Sequence, residues 1–375
     1  MCGIYFHIPF CYKKCYYCDF FSVSNSSSFE DLIESEIKEL VLRRNYLSQN
    51  TIKTIYFGGG TPTILDIKYL KRLLKAVYSN FNVSNECEIS IEANPDNLSD
   101  VYLNGLFQIG FNRLSIGIQS FNNDVLKFLG RKHSGDMLSE IIMSAKKIGF
   151  DNISVDLIYG IPGFDDSVYL STLNSAMLLD IQHVSAYGLS IAKDTLFDRK
   201  LRSRQFVEID EDDYIRQFLL TMDILDLNGF KQYEISNFAK NGFISRHNSS
   251  YWSSIPYLGI GPSAHSYNGF SRQWNISNLF KYLKLIVESQ VFYNIEELSS
   301  VDKYNEYVLT GIRTSSGLNI DFIKEKFDQS INDNFRLNTD RLLVDGYLLQ
   351  KLNYLSLSRK GIVLCDFVIQ QLYYS

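Results

Sequence analysis

The feature that most limits the fold is a regular alternation of strand-like runs with amphipathic helical stretches. Six runs rich in β-branched and aromatic residues end in small or polar ones: GIYFHI from Gly3, TIYFGGG from Thr54, EISIEAN from Glu88, RLSIGIQS from Arg113, NISVDLIYG from Asn152 and HVSAYGLS from His183. Helical periodicity is predicted over 29–47, 65–78, 100–109, 135–148, 166–179 and 212–227. In the first helix Ile33, Ile37, Leu40 and Val41 share a face, with serines 26–28 as candidate caps. Strand–helix units repeated in order call for parallel strands joined by helical crossovers, so the chain is of the α/β class. An open doubly wound sheet and a complete or partial barrel both satisfy that order. No GxGxxG follows the first strand, which disfavours the dinucleotide-binding sheet. In either arrangement ligands bind at the carboxyl ends of the strands. That end gathers the loop after Ile8, Gly58 to Thr61, Glu92, Gln119 and Tyr187.

After Tyr233 the pattern changes to QYEISNFA, then HNSSYW from His247, then LGIGPSAHSY. A helix over 277–288 is expected to leave the first domain. From about residue 295 the chain reads as helix, short hairpin, helix, which is winged-helix-like. The expected division is therefore 1–275 and 276–375. The 37 Lys and Arg against 42 Asp and Glu give a net charge of −5, which argues against a nucleic-acid scaffold. The tail is no exception, with 9 basic against 11 acidic residues over 291–375. A 45% hydrophobic, 21% charged composition excludes disorder as the main state. No apolar run is long enough to span a bilayer, so any membrane-associated partner would be met at the surface. The first residues lack the pattern of a secretory leader, and a cytosolic protein is expected.

In the cytosol the six cysteines are not expected to pair as disulfides. Three of them, Cys11, Cys15 and Cys18, form CxxxCxxC within CYKKCYYCDF. Random placement would give about 0.002 such triplets in a chain of this composition, so chance does not explain it. A structural zinc site wants four closed ligands, and His7 is the nearby candidate for a fourth. Three thiolates can instead hold three irons of a 4Fe–4S cluster and leave the fourth iron open to a small chelating ligand. Cys2, Cys87 and Cys365 read as small buried or surface residues.

The CxxxCxxC spacing resembles the signature of the radical S-adenosylmethionine (SAM) enzymes, and GGGTPT (Gly58 to Thr63) follows the second strand as their glycine motif does. Together with IEANPD, NRLSIGIQSF, GRKHS, DLIYGIPG, YEISNFA, GIGPSAHS and EYVLTGIRTSSGL, these stretches are similar to the oxygen-independent coproporphyrinogen III oxidases (HemN) and their relatives, the heme chaperones (HemW). The resemblance implies a partial (β/α)6 TIM-like barrel with a small helical C-terminal domain. It implies cluster ligation by Cys11, Cys15 and Cys18, with SAM on the open iron. Further SAM contacts carry onto Tyr5, Tyr17, Gly59, Gly60, Thr61, Glu92, Gln119, Arg131 and Asp156. Gly188 aligns approximately, where HemN carries alanine.

Two features separate the subgroups. HemN continues its motif as CxxxCxxCxC, but here the fourth position is Phe20, and the chain starts ten residues ahead of Cys11. HNSSYW resembles the HNxxYW motif of the heme chaperones, which makes His247 the expected heme ligand. A neutral imidazole can ligate heme iron while Tyr251 and Trp252 cover a porphyrin face. In a helix His247 and Tyr251 would share a face. The alternative for the histidine is a structural role in a tight loop. The favoured expectation is a protein that binds heme, a 4Fe–4S cluster and SAM, and passes heme to an acceptor. A low-potential donor such as a flavodoxin or ferredoxin would reduce the cluster. The alternatives are the oxidative decarboxylation of coproporphyrinogen III and another radical SAM reaction. No catalytic residue is assigned.

Overall fold

The computed structural model describes residues 2–24, 28–48 and 51–375. Six parallel strands form its centre: β1 (Cys2–Ile8), β2 (Ile52–Gly59), β3 (Val83–Ala93), β4 (Arg113–Gln119), β5 (Ile153–Tyr159) and β6 (His183–Gly188). They lie side by side in chain order, so each crossover leads to the adjacent strand, as the strand–helix alternation requires.

Each strand sorts its residues by side. Ile4, Phe6 and Ile8, Ile55 and Phe57, Ile89 and Ile91, Leu114, Ile116 and Ile118, and Val155 and Leu157 all enter one apolar core. The intervening positions Tyr5, Thr54, Tyr56, Glu88, Glu92, Ser115, Ser154, Asp156 and His183 carry polar atoms. Because side chains alternate across a strand, these face the opposite side, the concave interior. The core therefore sits between the sheet and the surrounding helices, and the barrel lumen is polar.

Those helices are α1 (Phe29–Leu42), α2 (Ile67–Asn80), α3 (Asp100–Gln108), α4 (Asn123–Leu129), α5 (Leu138–Ile148), α6 (Asp166–Met177), α7 (Leu196–Arg202) and α8 (Glu211–Leu227). Among the cap candidates before α1, Ser26 and Ser27 lie outside the described residues, and Ser28 makes no side-chain cap bond. α1 stops at Leu42, short of the predicted residue 47. There the chain turns so that the buried Arg43 can bond Glu39 at 2.9 Å, the Gly259 carbonyl at 3.0 Å and Gln273 at 2.8 Å. Short α4 and α7 were not predicted.

Beyond α8 the sheet grows at both edges. β7 (Lys231–Gln232) and β8 (Asn237–Ala239) extend it past β6. After α9 (Arg246–Trp252), β9 (Tyr257–Ile260) pairs parallel to β1. β10 (His265–Tyr267), β11 (Ser271–Asn275) and β12 (Tyr293–Glu297) follow in antiparallel order. The core of this unit runs past residue 275. α10 (Leu279–Val287) adds Leu279, Tyr282 and Ile286 to it, Phe292 joins them, and the Tyr282 hydroxyl donates to Glu39 at 2.5 Å.

A second core begins at Tyr304. It is built by α11 (Ser300–Gly311), α12 (Ile320–Lys326), α13 (Gln329–Val344), α14 (Arg359–Val363) and α15 (Cys365–Leu372) around β13 (Leu318–Asn319), β14 (Leu348–Lys351) and β15 (Tyr354–Leu357). The three short strands form their own sheet, with β15 in the middle. Among the described residues no helix is long and apolar enough to cross a membrane.

Candidate functional site

The carboxyl ends of the central strands open into a cavity of about 390 Å³. Fourteen of the residues singled out from the sequence line it: Cys11, Cys15, Tyr17, Cys18 and Phe20 from the loop after β1, Gly59, Gly60 and Thr61 at the end of β2, then Glu92, Gln119, Arg131, Asp156, Tyr187 and Gly188. Five crossovers separate the first of these residues from the last in sequence, and the parallel sheet brings them to one rim.

The cysteine loop is seated on backbone. Cys11 N–H donates to Val23 O at 3.1 Å, Val23 N–H to Pro9 O at 2.7 Å, and Tyr16 N–H to Leu129 O at 3.2 Å. The glycine strand clasps the loop's first residues, with Gly60 N–H on Ile8 O and Thr61 N–H on Phe10 O, both at 2.8 Å. The contact is so close that a Cβ on Gly60 would lie 2.6 Å from Phe10 O and 2.9 Å from the Pro9 carbonyl carbon. Gly59 has φ +108°, in the region that favours glycine, with the His7 ring against it. Gln119 adopts φ +64° at the end of β4, an uncommon conformation for a non-glycine residue.

The Cys11 thiol lies 3.5 Å from the Thr61 hydroxyl, and Arg131 Nη1 donates to Cys15 Sγ at 3.4 Å. Arg131 Nη2 donates to Asn94 Oδ1 at 2.8 Å and also to the Gly117 carbonyl. Asn94 in turn donates to Thr61 at 3.3 Å, so it ties the guanidinium to the glycine loop. Sequence reasoning assigned Asn94 no role. Its signal was a polar residue in IEANPD, directly past the end of a buried strand. Lys14, Ser115 and Ser190 also line the cavity and were not singled out.

Two carboxyls line the same cavity as Arg131. Glu92 accepts from the Tyr56 hydroxyl at 2.8 Å and from Gly59 N–H at 3.2 Å. Burial pushes it up to about 7, against the pull of the Tyr56 hydrogen bond. Asp156 accepts from Ser115 at 3.2 Å and is likewise raised by burial. A guanidinium and two carboxyls in one cavity suit a ligand carrying both signs of charge.

The three thiols line one cavity, and three soft sulfur donors without a fourth are the set an iron–sulfur cluster with one open iron takes. Among the described residues no group of three or more His, Cys, Asp and Glu converges to hold a single metal ion. His7 does not serve as a fourth ligand. Its Nε2 bonds Phe21 O at 2.9 Å and its Nδ1 shares a hydrogen bond with the Tyr5 hydroxyl at 3.1 Å. Tyr5 lies behind the rim, its ring 6.1 Å from that of Tyr56. Cys2, Cys87 and Cys365 are buried elsewhere, and all six cysteines are unpaired.

The HNSSYW residues come together with each other but do not line the cavity. HNSSYW is helical, as α9, and His247 Nε2 meets the Tyr251 hydroxyl at 2.8 Å across one turn. His247 is 1% exposed, its Nδ1 shares a hydrogen bond with Thr54 at 2.8 Å, and its ring stacks on Tyr56 at 4.9 Å. Burial pushes the imidazole down to about 3, which keeps it neutral. Trp252 Nε1 is buried without a hydrogen-bond partner.

Residues 5–176 match the profile of the radical SAM superfamily, and residues 298–364 match the HemN C-terminal domain. The chain is 34% identical over 368 residues to the heme chaperone HemW of Lactococcus lactis, covering 98% of this chain and 96% of the relative. It is 34% identical over 338 residues to that of Bacillus subtilis, covering 89% of each. The solved structure of coproporphyrinogen III oxidase (HemN) from Escherichia coli superimposes with a TM-score of 0.86 at 23% identity, covering 99% of this chain and 89% of that one, which shows a shared fold. With a radical SAM barrel, a HemN-type C-terminal domain and this identity over nearly its whole length, the chain belongs to the HemW family of the radical SAM superfamily.

Proposed function

We propose that this protein is a heme chaperone, which takes up heme through His247 of HNSSYW and passes it to an acceptor protein. The observation that carries the reading is the 34% identity to a heme chaperone over 98% of the chain. Tyr251 and Trp252 supply aromatic surface beside the ligand histidine, and the neutral imidazole is the form that binds iron.

In this reading Cys11, Cys15 and Cys18 hold a 4Fe–4S cluster. When bound, such a cluster supplies a single low-potential electron and one open iron for a chelating ligand. Gly59, Gly60 and Thr61 would offer backbone and a hydroxyl to SAM, and Tyr17, Gln119 and Gly188 complete the wall. Glu92 and Asp156 accept hydrogen bonds, while Tyr5 supports the rim from below. Arg131, fixed by Asn94, keeps a positive charge beside Cys15. A flavodoxin or ferredoxin is the class of donor that would reduce the cluster. The six unpaired cysteines suit the reducing cytosol, where we place the protein. We place the boundary between its two functional units near residue 298, where the barrel's last strand ends.

The test is an anaerobic reconstitution followed by heme titration and a coproporphyrinogen assay on one preparation. Stoichiometric heme binding that disappears in His247→Ala, with no decarboxylation, is expected. SAM-dependent conversion to protoporphyrinogen would replace this reading with an oxidase.

A further inference from the structure

HNSSYW forms a plug in the barrel. The site cavity lies at the strand ends, around Gly59 and Glu92, whereas α9 meets the strand beginnings around Gly3, Thr54 and Glu88. The buried Glu88 accepts from the backbone N–H of Arg246 at 3.1 Å and of His247 at 3.0 Å, which fixes the first turn of α9. Gly3 leaves the space for the imidazole: a Cβ there would lie 3.2 Å from His247 Nδ1 and 2.6 Å from Thr54 Oγ1. Thr54 holds one ring nitrogen and Tyr251 the other. An imidazole that ligates iron must present a bare nitrogen lone pair. Here both nitrogens are engaged, and the ring is buried against Tyr56, so a macrocycle cannot reach it while α9 is seated.

Tyr56 touches both ends of this arrangement. Its ring stacks on His247 at 4.9 Å with 19° between planes, and its hydroxyl donates to Glu92 Oε1 at 2.8 Å in the wall of the cavity. A cavity ligand that donates hydrogen bonds to Glu92 competes with the Tyr56 hydroxyl for the same carboxylate. We propose that Tyr56 is a positioning residue that ties occupancy of the cofactor cavity to release of α9, and that heme is captured by the released helix. This rests on the reading of His247 as the heme ligand. With the cavity empty, Glu92 anchors Tyr56 and Tyr56 anchors the imidazole. With the cavity filled, Tyr56 loses its anchor and α9 opens more often. By linkage, heme capture then favours the cavity ligand by the same factor. One hydrogen bond to Glu92, which burial leaves only partly ionised near neutral pH, corresponds to about a three- to hundredfold shift in that equilibrium.

The experiment uses the full chain with its cluster reconstituted anaerobically. Hemin is mixed with and without SAM, the Soret band is followed by stopped flow, and hydrogen exchange is read at the amides of residues 246–252. SAM is expected to raise the hemin on-rate of the native protein about threefold or more and to speed exchange in α9. Tyr56→Phe keeps the stack and removes the hydroxyl. It is expected to bind hemin fast without SAM and to lose the response to SAM. Thr54→Val releases Nδ1 alone and is expected to raise the basal on-rate while keeping the response. A SAM response of native size in Tyr56→Phe overturns the coupling. Hemin binding that leaves α9 fully protected overturns the release. If Tyr56→Phe does not fold, the Thr54→Val on-rate decides, and a native value overturns the latch. His247→Ala separates the two ideas. Undiminished hemin affinity in that variant removes the ligand assignment. Lost affinity there, with native behaviour in Tyr56→Phe and Thr54→Val, leaves the ligand and removes the gate.

Discussion

Replacing Gly60 by alanine tests whether the glycine strand seats the cysteine loop. The added Cβ would stand 2.6 Å from Phe10 O, 2.9 Å from the Pro9 carbonyl carbon and 3.0 Å from Ile8 O, where ordinary contact begins at 3.4 Å. All three neighbours are backbone, so no side chain can swing aside. The chain relieves the overlap only by moving the loop away from β2, which breaks the bonds from Gly60 N–H to Ile8 O and from Thr61 N–H to Phe10 O. Two hydrogen bonds at about 1 kcal/mol each, together with overpacking of about 1–3 kcal/mol, put the loss at about 3–5 kcal/mol. Urea unfolding followed by the fluorescence of Trp252 and Trp274 measures it, and the visible absorbance after anaerobic reconstitution reports whether three cysteines still hold a cluster. Gly229→Ala is the control. Its φ of +82° makes alanine unfavourable by roughly 1–2 kcal/mol, but nothing lies within 4 Å, so cluster uptake is expected to survive. Gly60→Ala with native stability and a native cluster spectrum would refute the close-approach argument.

Three further outcomes are expected. Serine substitution of Cys11, Cys15 or Cys18 should abolish the cluster absorbance, whereas Cys2→Ser, Cys87→Ser and Cys365→Ser should retain it; loss in the second group would refute the triad. Glu39→Ala leaves the buried Arg43 without its carboxylate and strips acceptors from Gly261 N–H, Asn275 and Tyr282. A loss of about 3–5 kcal/mol in denaturant unfolding follows from an uncompensated buried charge. His183 is held well below its usual value by burial, with Arg113 adding to the effect, and its nitrogens bond Ser154 and Tyr233. The folded state keeps this ring neutral, so stability is fully present above the unfolded value of about 6.5 and falls as the pH drops below it. His183→Gln should reduce that slope by up to about 1.4 kcal/mol per pH unit, one proton's share, in unfolding curves recorded from pH 7.5 to pH 5, while His7, His133, His247 and His265, also lowered by burial, keep the remainder.

Much of this molecule is written in local order. Parallel strands with crossovers followed from six runs and the helices between them, because each run alternates apolar residues toward the helices with polar ones toward the lumen, as Ile55 and Phe57 do around Tyr56. The cavity wall was legible for the same reason: a residue at the carboxyl end of a parallel strand has nowhere else to face. The short α4 and α7 were missed because seven residues give too little periodicity, although Asn122 and Thr195 cap them and Gly130 closes α4 in the left-handed region. The end of α1 was misplaced because apolar spacing continued to Leu47, while the buried bonds of Arg43 to residues more than two hundred positions away turned the chain earlier.

What tertiary structure alone decided is the state of the HNSSYW motif. The sequence placed His247 and Tyr251 one helical turn apart, and spacing fixes that relation. It could not place Thr54 against one nitrogen, Glu88 against the helix start or Tyr56 against the ring, since those partners come from strands some 150 to 190 residues away. Helical spacing is set by neighbouring backbone, whereas access to a side chain is set by whatever distant chain closes over it.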